Sequence, residues 1–98
     1  MTEIIITKSK NSDKTYDARI DGKKTISFGS AQHSDFTKHK DEERKQRYIN
    51  RHKKHETWTD PKTTGFYSRW ITWNKPTLTE SIRDTNNRFK NINIKYKN

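Results

Sequence analysis

The chain has 98 residues, of which 26% are apolar and 35% charged, and a formal net charge of +10. It contains no cysteine, which excludes a disulfide framework and a thiolate metal site. No apolar run reaches the ~18 residues of a membrane span, and no signal-peptide pattern opens the sequence. The length fits one domain over residues 1–98. The low apolar content would also suit a disordered chain, but eleven aromatic residues (three Trp, four Tyr, four Phe) argue for a packed core. An excess of 22 basic over 12 acidic groups points to a polyanionic partner: nucleic acid first, with DNA ahead of RNA, an acidic protein second and an anionic membrane surface third.

The β-branched run Ile4-Ile5-Ile6 predicts a first strand within Thr2 to Thr7. Lys10 to Asp13 is turn material. Thr15 to Phe28 reads as a hairpin in which Tyr16, Ala18 and Ile20 alternate in one arm and Ile26 and Phe28 in the other. A two-residue Asp21-Gly22 loop would set these two series on opposite faces. A three-residue loop, Ile20-Asp21-Gly22, sets them on one face, with Tyr16 opposite Ile26 and Gly22 in the left-handed position of a bulge. The other face, with Thr15, Asp17, Arg19, Lys23, Thr25 and Ser27, is polar and mildly basic.

After a connector over Gly29 to His33, Ser34-Asp35-Phe36-Thr37 is placed to open a short helical turn. Asp41 to His55 is the best long helix. Its acids (Asp41, Glu42, Glu43) fill the first turn and its bases (Arg51 to His55) the last, which complements the helix dipole. Asp41 with Lys45, and Glu43 with Arg47, have i,i+4 spacing for ion pairs. The apolar stripe of this helix is thin, limited to Tyr48, Ile49 and the ring of His52. A loop marked by Asp60-Pro61 leads to Gly65 to Trp73, where Phe66, Trp70 and Trp73 would share one face of a regular helix. Thr77 and Glu80 have capping-box spacing, and Leu78, Ile82 and Phe89 follow on one face of a helix over residues 77–90. The weak helix formers Asn86 and Asn87 would let its second half fray. From about residue 91 the alternation of Ile92, Ile94 and Tyr96 admits two readings: a strand added to the sheet edge, or a loose basic tail.

The strongest functional signal is the acid-free basic run Arg44, Lys45, Arg47, Arg51, Lys53 and Lys54. At 3.6 residues per turn, Arg44, Arg47, Arg51 and Lys54 fall on one stripe, suited to tracking a phosphate backbone. Arg19, Lys23, Lys24 and Arg69 are placed as helpers. His33, His39, His52 and His55 offer no convincing third ligand beside the i,i+3 pair His52/His55, and lysines flank that pair, so no metal and no other cofactor is expected. A nuclease would have to draw on Asn50, His52, His55 and Glu56. Glycine loops for phosphate, nucleophile elbows and kinase motifs are absent from the sequence, and no small-molecule substrate is indicated.

Several stretches taken together carry a resemblance. They are Tyr16 to Gly29 with Asp21-Gly22-Lys23-Lys24 at its centre, then Ser34-Asp35-Phe36-Thr37 with His39-Lys40-Asp41. They continue with Tyr48-Ile49-Asn50-Arg51-His52-Lys53-Lys54, Gly65-Phe66-Tyr67-Ser68-Arg69-Trp70 and Trp73-Asn74-Lys75-Pro76-Thr77. Over residues 15–90 the chain resembles an uncharacterised family of small basic proteins encoded by nucleocytoplasmic large DNA viruses, of the algal-virus and mimivirus-like kind. The resemblance implies a viral origin and a setting in the virion or virus factory, in host nucleus or cytoplasm rather than secreted. It carries no assigned active site.

The resulting expectation is an α+β fold: a three-stranded antiparallel meander over residues 2–28 packed against two or three helices at 41–55, 65–73 and 77–90. Its core is expected from Tyr16, Ala18, Ile26, Phe28, Tyr48, Ile49, Phe66, Trp70, Trp73, Leu78, Ile82 and Phe89. The expected function is a non-enzymatic viral nucleic-acid-binding and packing protein. The alternative is a minor structural virion protein that joins capsid or core proteins through an exposed aromatic patch around Trp58, Tyr67 and Trp70. A metal-dependent nuclease ranks behind both.

Overall fold

In the computed structural model, which describes residues 1–31 and 35–97, strand β1 (Thr2–Lys8) pairs antiparallel with β2 (Lys14–Ile20), and β2 pairs antiparallel with β3 (Lys24–Ser30). The alternating tail forms a further strand, β4 (Ile92–Tyr96), parallel to β1, so the sheet is mixed with the order β3-β2-β1-β4. Cross-strand partners share a face, and the pairs Ile4↔Ile20, Ile6↔Ala18, Ala18↔Ile26, Tyr16↔Phe28 and Ile4↔Ile94 place the apolar series of all four strands on one side. Ile4, Ile6, Ala18, Ile20, Ile26, Phe28, Ile92 and Ile94 are buried there.

The hairpin departs from the expected register by two residues. Tyr16 faces Phe28, not Ile26. Asp21 and Gly22 both have positive φ (51° and 67°), and Lys23 N–H donates to the Ile20 carbonyl at 3.0 Å, which is a type I′ turn. Because Ile20 pairs with Lys24, Lys23 is an extra residue in the returning strand. This insertion preserves the even-to-even pairing that buries both arms, while a tight turn still matches the strand twist.

Helix α1 (Phe36–His39) is capped by the Asp35 side chain, and α2 (Glu42–His52) by Asp41, whose Oδ1 accepts from Glu43 N (3.0 Å) and Arg44 N (3.3 Å). The expected connector through His33 and the role of Ser34 fall largely outside the described residues, and residues 53–55 form a turn beyond the helix. Between the two helices the Asp41 N–H donates to His39 Nδ1 at 2.9 Å. Burial, and after it the charge of Arg44, lowers the His39 pKa from its ordinary 6.5, partly countered by Asp41 and Asp35. A proton therefore binds the unfolded chain more readily. The stability this imidazole contributes is complete above about pH 6.5 and is lost as pH falls toward its folded value. Thermal midpoints measured between pH 7.5 and 5 should fall, and His39→Gln should flatten that part of the profile.

The aromatic stretch is not one regular helix. A short α3 (Thr64–Tyr67), capped by Thr63, runs into a single π-helical turn, Ser68–Thr72, closed by Trp73 N–H donating to the Ser68 carbonyl at 2.9 Å. The wider turn rotates the following residues away from the 3.6-residue stripe. Phe66, Tyr67 and Ile71 are fully buried, whereas Trp70 and Trp73 are only partly covered. Phe28 meets Tyr67 (5.3 Å between ring centroids), Tyr67 meets Phe66 (5.2 Å), Phe66 meets Phe89 (5.1 Å) and Phe89 meets Trp70 (5.6 Å). This chain of tilted and edge-on contacts joins sheet to helices, each contact adding roughly 0.5–1.5 kcal/mol beyond area burial. Tyr48 is buried too, but against Trp73 and His52 rather than the sheet, and Ile49 is half exposed.

Helix α4 (Leu78–Arg88) starts at Thr77, whose Oγ accepts from Glu80 N–H at 3.2 Å. Asn86 does not fray its end. Its Nδ2 donates to the Ile94 carbonyl (3.0 Å) and its Oδ1 accepts from the Ile94 N–H (2.8 Å), so one amide satisfies both outward backbone groups of Ile94 on the edge strand β4. Asn86→Ala should cost about 2 kcal/mol, as two lost hydrogen bonds and an unpaired edge require. A denaturant midpoint that does not move would refute this.

Candidate nucleic-acid interface

Arg44, Arg47 and Arg51 project from one exposed face of α2. Beyond the helix, His55 N–H and Glu56 N–H both donate to the His52 carbonyl, closing one further turn in which Lys54 is exposed. At 1.5 Å per residue the stripe from Arg44 to Lys54 runs about 15 Å. Among the described residues the ion pairs are His52 with Glu56 (3.7 Å) and Arg88 with Asp84 (2.7 Å). Neither involves the stripe, and the expected pairs Asp41/Lys45 and Glu43/Arg47 do not form. Lys53 is exposed at the helix end.

Two other predicted contacts are used inside the fold. Lys45 turns inward, its ammonium 4.9 Å from the centre of the buried Phe36 ring, and burial lowers its pKa. Arg69 lies over the Trp70 ring at 4.4 Å and near the Trp58 ring at 5.5 Å, and donates from Nη1 to the Trp73 carbonyl at 3.1 Å. Burial, followed by the nearby charge of Arg88, lowers its pKa as well. Arg69 is a wedge between indoles, and its planar guanidinium suits that position.

Arg19, Lys23 and Lys24 gather at the β2–β3 hairpin, where Arg19 Nη2 donates to the Gly22 carbonyl at 2.9 Å. The ridge lies toward the other end of these strands. The pairs Ile20↔Lys24 and Lys14↔Ser30 are six residues apart along β2, about 20 Å at 3.3 Å per residue. Lys14 and Ser30 line the same cleft as Arg51 and His52. The fold thus holds two basic regions apart rather than one continuous field.

That cleft, about 480 Å³, is the feature sequence reasoning missed. Tyr48, Arg51 and His52 come from α2, Ser68 and Thr72 from the π turn, Gly29 and Ser30 from β3, and Asp35 from the cap of α1. Tyr48 is stacked between Trp73 (4.5 Å, 1°) and His52 (4.5 Å, 32°), which holds α2 against the π turn. Gly29, at φ 76°, fits where a Cβ would lie 3.1 Å from Thr15 and 3.5 Å from Thr72. Along the chain these residues are up to 59 positions apart (Lys14 to Trp73), and none stands in a spacing that would mark a site. Of the residues considered for a nuclease, His52 and Glu56 meet (Nδ1 to Oε2 3.7 Å) and both line the cleft, whereas Asn50 and His55 do not line it. Asn50 accepts from Gln46 on the helix surface, His55 is exposed, and Glu56 accepts from Trp58 Nε1 at 2.8 Å. No group of three potential metal ligands occurs among the described residues, and His33 lies outside them. No helix among them is long and apolar enough to cross a membrane.

The aromatic patch expected around Trp58, Tyr67 and Trp70 is not fully exposed. Tyr67 is fully buried, Trp58 and Trp70 are partly covered, and the Trp70 Nε1 donates to the Trp58 carbonyl at 2.7 Å.

Residues 4–52 match a protein family of unknown function, DUF5754. The chain belongs to that family. The matched half holds β1 from Ile4 onward, β2, β3, α1 and all of α2, and so includes Arg44, Arg47 and Arg51. No curated protein and no solved structure matches the chain.

Proposed function

We propose that the protein is a non-enzymatic nucleic-acid-binding protein that lays α2 along a phosphate backbone. The supporting observation is the stripe of Arg44, Arg47, Arg51 and Lys54, exposed on one face and engaged by no carboxylate among the described residues. A rigid row about 15 Å long matches roughly four nucleotide steps of one strand. A cation already paired with a carboxylate would release no counterion on binding; these four would. DNA ranks ahead of RNA as the partner. The setting implied by the viral resemblance, a virion or virus factory, suits a protein that neutralises and packs a genome.

The test is binding of duplex DNA followed by fluorescence anisotropy across an ionic-strength series. Four phosphate contacts predict a log–log slope near −3.6, which is a loss of about a hundredfold between 50 and 200 mM salt. Absence of binding at the lowest salt would end the proposal.

A further inference from the structure

The helices pack on the side of the sheet that carries Phe28 and the buried isoleucines. The ridge belongs to that layer, since Tyr48 on α2 stacks on Trp73 at the end of the π turn. The pairs Ile5↔Arg19, Ile5↔Lys95, Thr7↔Asp17 and Asp17↔Ser27 set these residues on the other side, where none is buried. A depression of about 590 Å³ there brings Lys10, Arg19 and Lys97 round Ile5 and Thr7. With Lys95, these make four exposed cations. The two carboxylates of the face are tied to neutral donors. Asp17 Oδ1 accepts from Ser9 Oγ (2.7 Å) and Ser27 Oγ (2.6 Å), and Glu3 Oε2 accepts from Asn93 Nδ2 (3.0 Å). None of the four cations is in an ion pair among the described residues. The adjoining hairpin adds exposed Lys23 and Lys24 against Asp21. The described residues that line the depression include no aromatic ring, so it offers charge without a platform for stacking unpaired bases. That chemistry suits the phosphates of a duplex.

We propose that this open face of the sheet binds a second DNA duplex, so that each molecule bridges the segment held by its ridge to another. This rests on the nucleic-acid reading above and adds the device by which duplexes are packed together. The face lies across the sheet from the layer that carries the ridge, so the two surfaces do not compete for one site. With two carboxylates among its cations, the face is the weaker surface and adds nothing to the binding of one duplex in dilute solution. It acts once ridges have lined many copies along a strand. A row of weak contacts to one neighbouring duplex then gains avidity of about 10²–10⁴.

The experiment saturates a long bead-bound duplex with protein at low salt, washes away the excess and adds a labelled second duplex. Beads coated with wild-type protein should capture the label. Changing Lys10, Lys95 and Lys97 to glutamine leaves one cation of the four, Arg19, against Glu3 and Asp17. Capture should then fall about tenfold or more, while anisotropy on a single duplex keeps its affinity and a salt slope near −3.6. That unchanged titration also shows that the variant is folded. Should the triple variant fail to fold, Lys10→Gln with Lys97→Gln, both outside the strands, takes its place. Wild-type beads that capture no label would overturn the bridging proposal and leave the face to another partner, such as an acidic protein. Equal capture by the folded variant would overturn it too. So would a folded variant that loses single-duplex affinity and slope, because the face would then serve the same duplex as the ridge. If the wild-type protein keeps its single-duplex slope in the first two cases, the ridge reading survives and only the bridging falls. If no duplex binds at low salt, both fall.

Discussion

A variant with Arg44, Arg47, Arg51 and Lys54 all changed to glutamine is expected to lose about a hundredfold or more in duplex affinity at 50 mM salt, and nearly all of its salt dependence. Each phosphate contact contributes about −0.9 to the log–log slope, so removing four takes a slope near −3.6 close to zero. Glutamine is a good helix former, so α2 should persist, and circular dichroism would confirm that. Single changes along the stripe should each lower the slope by about 0.9. Arg69 is the informative control. Its guanidinium lies over the Trp70 ring and donates to the Trp73 carbonyl, so Arg69→Met should change the thermal midpoint and leave the slope where it was. If Arg69→Met lowered the slope as much as Arg47→Gln, the assignment of Arg69 to the interior would be wrong. If the fourfold variant bound as tightly as the wild type, α2 would not be the contact surface.

The largest expected loss of stability is at Phe28. This ring is fully buried, 5.3 Å from Tyr67 and 5.7 Å from Tyr16, at the point where the sheet meets the aromatic helix. Phe28→Ala removes both contacts and leaves a cavity, which costs about 3–5 kcal/mol. Domains of this kind have a total stability of roughly 5–15 kcal/mol, so the variant should be unfolded in a substantial fraction of molecules at 37 °C. Ile49→Ala is the matched comparison. Ile49 is half exposed on α2, and its truncation should cost under about 1 kcal/mol. Urea midpoints measure both. Similar losses at the two positions would mean that α2, not the sheet, carries the main core.

Much of this could be read along the chain because it depends on neighbours in sequence. The alternation in the first 28 residues marked the meander. Asp41 and Thr77 marked the starts of two helices because caps are local chemistry. The basic stripe on α2 followed from helical period alone and is exposed as expected. The hairpin was two residues out of register because a type I′ turn with one inserted residue and a three-residue loop bury the same even-numbered series. The aromatic stretch was misread for a similar reason. A period of 3.6 predicts Phe66, Trp70 and Trp73 inward; Phe66 is buried as expected, but nothing local announces the π turn, and Tyr67 and Ile71 are fully buried where Trp70 and Trp73 are only partly covered. Asn86, a weak helix former by itself, becomes intelligible only beside Ile94.

By itself, then, the amino-acid order determined an α+β domain with a strongly cationic surface and one helix that carries a charged stripe. Periodicity, caps and net charge are properties of residues a few positions apart. Tertiary structure alone decided which cations remain available: Arg44, Arg47, Arg51 and Lys54 stay in water, while Lys45 and Arg69 are consumed by Phe36 and the indoles. It also decided that β4 joins β1 and that Asp35 lines a cleft with Arg51. The physical reason is that a side chain's chemistry depends on the groups packed against it. In this fold those groups come from elements that are remote in the chain.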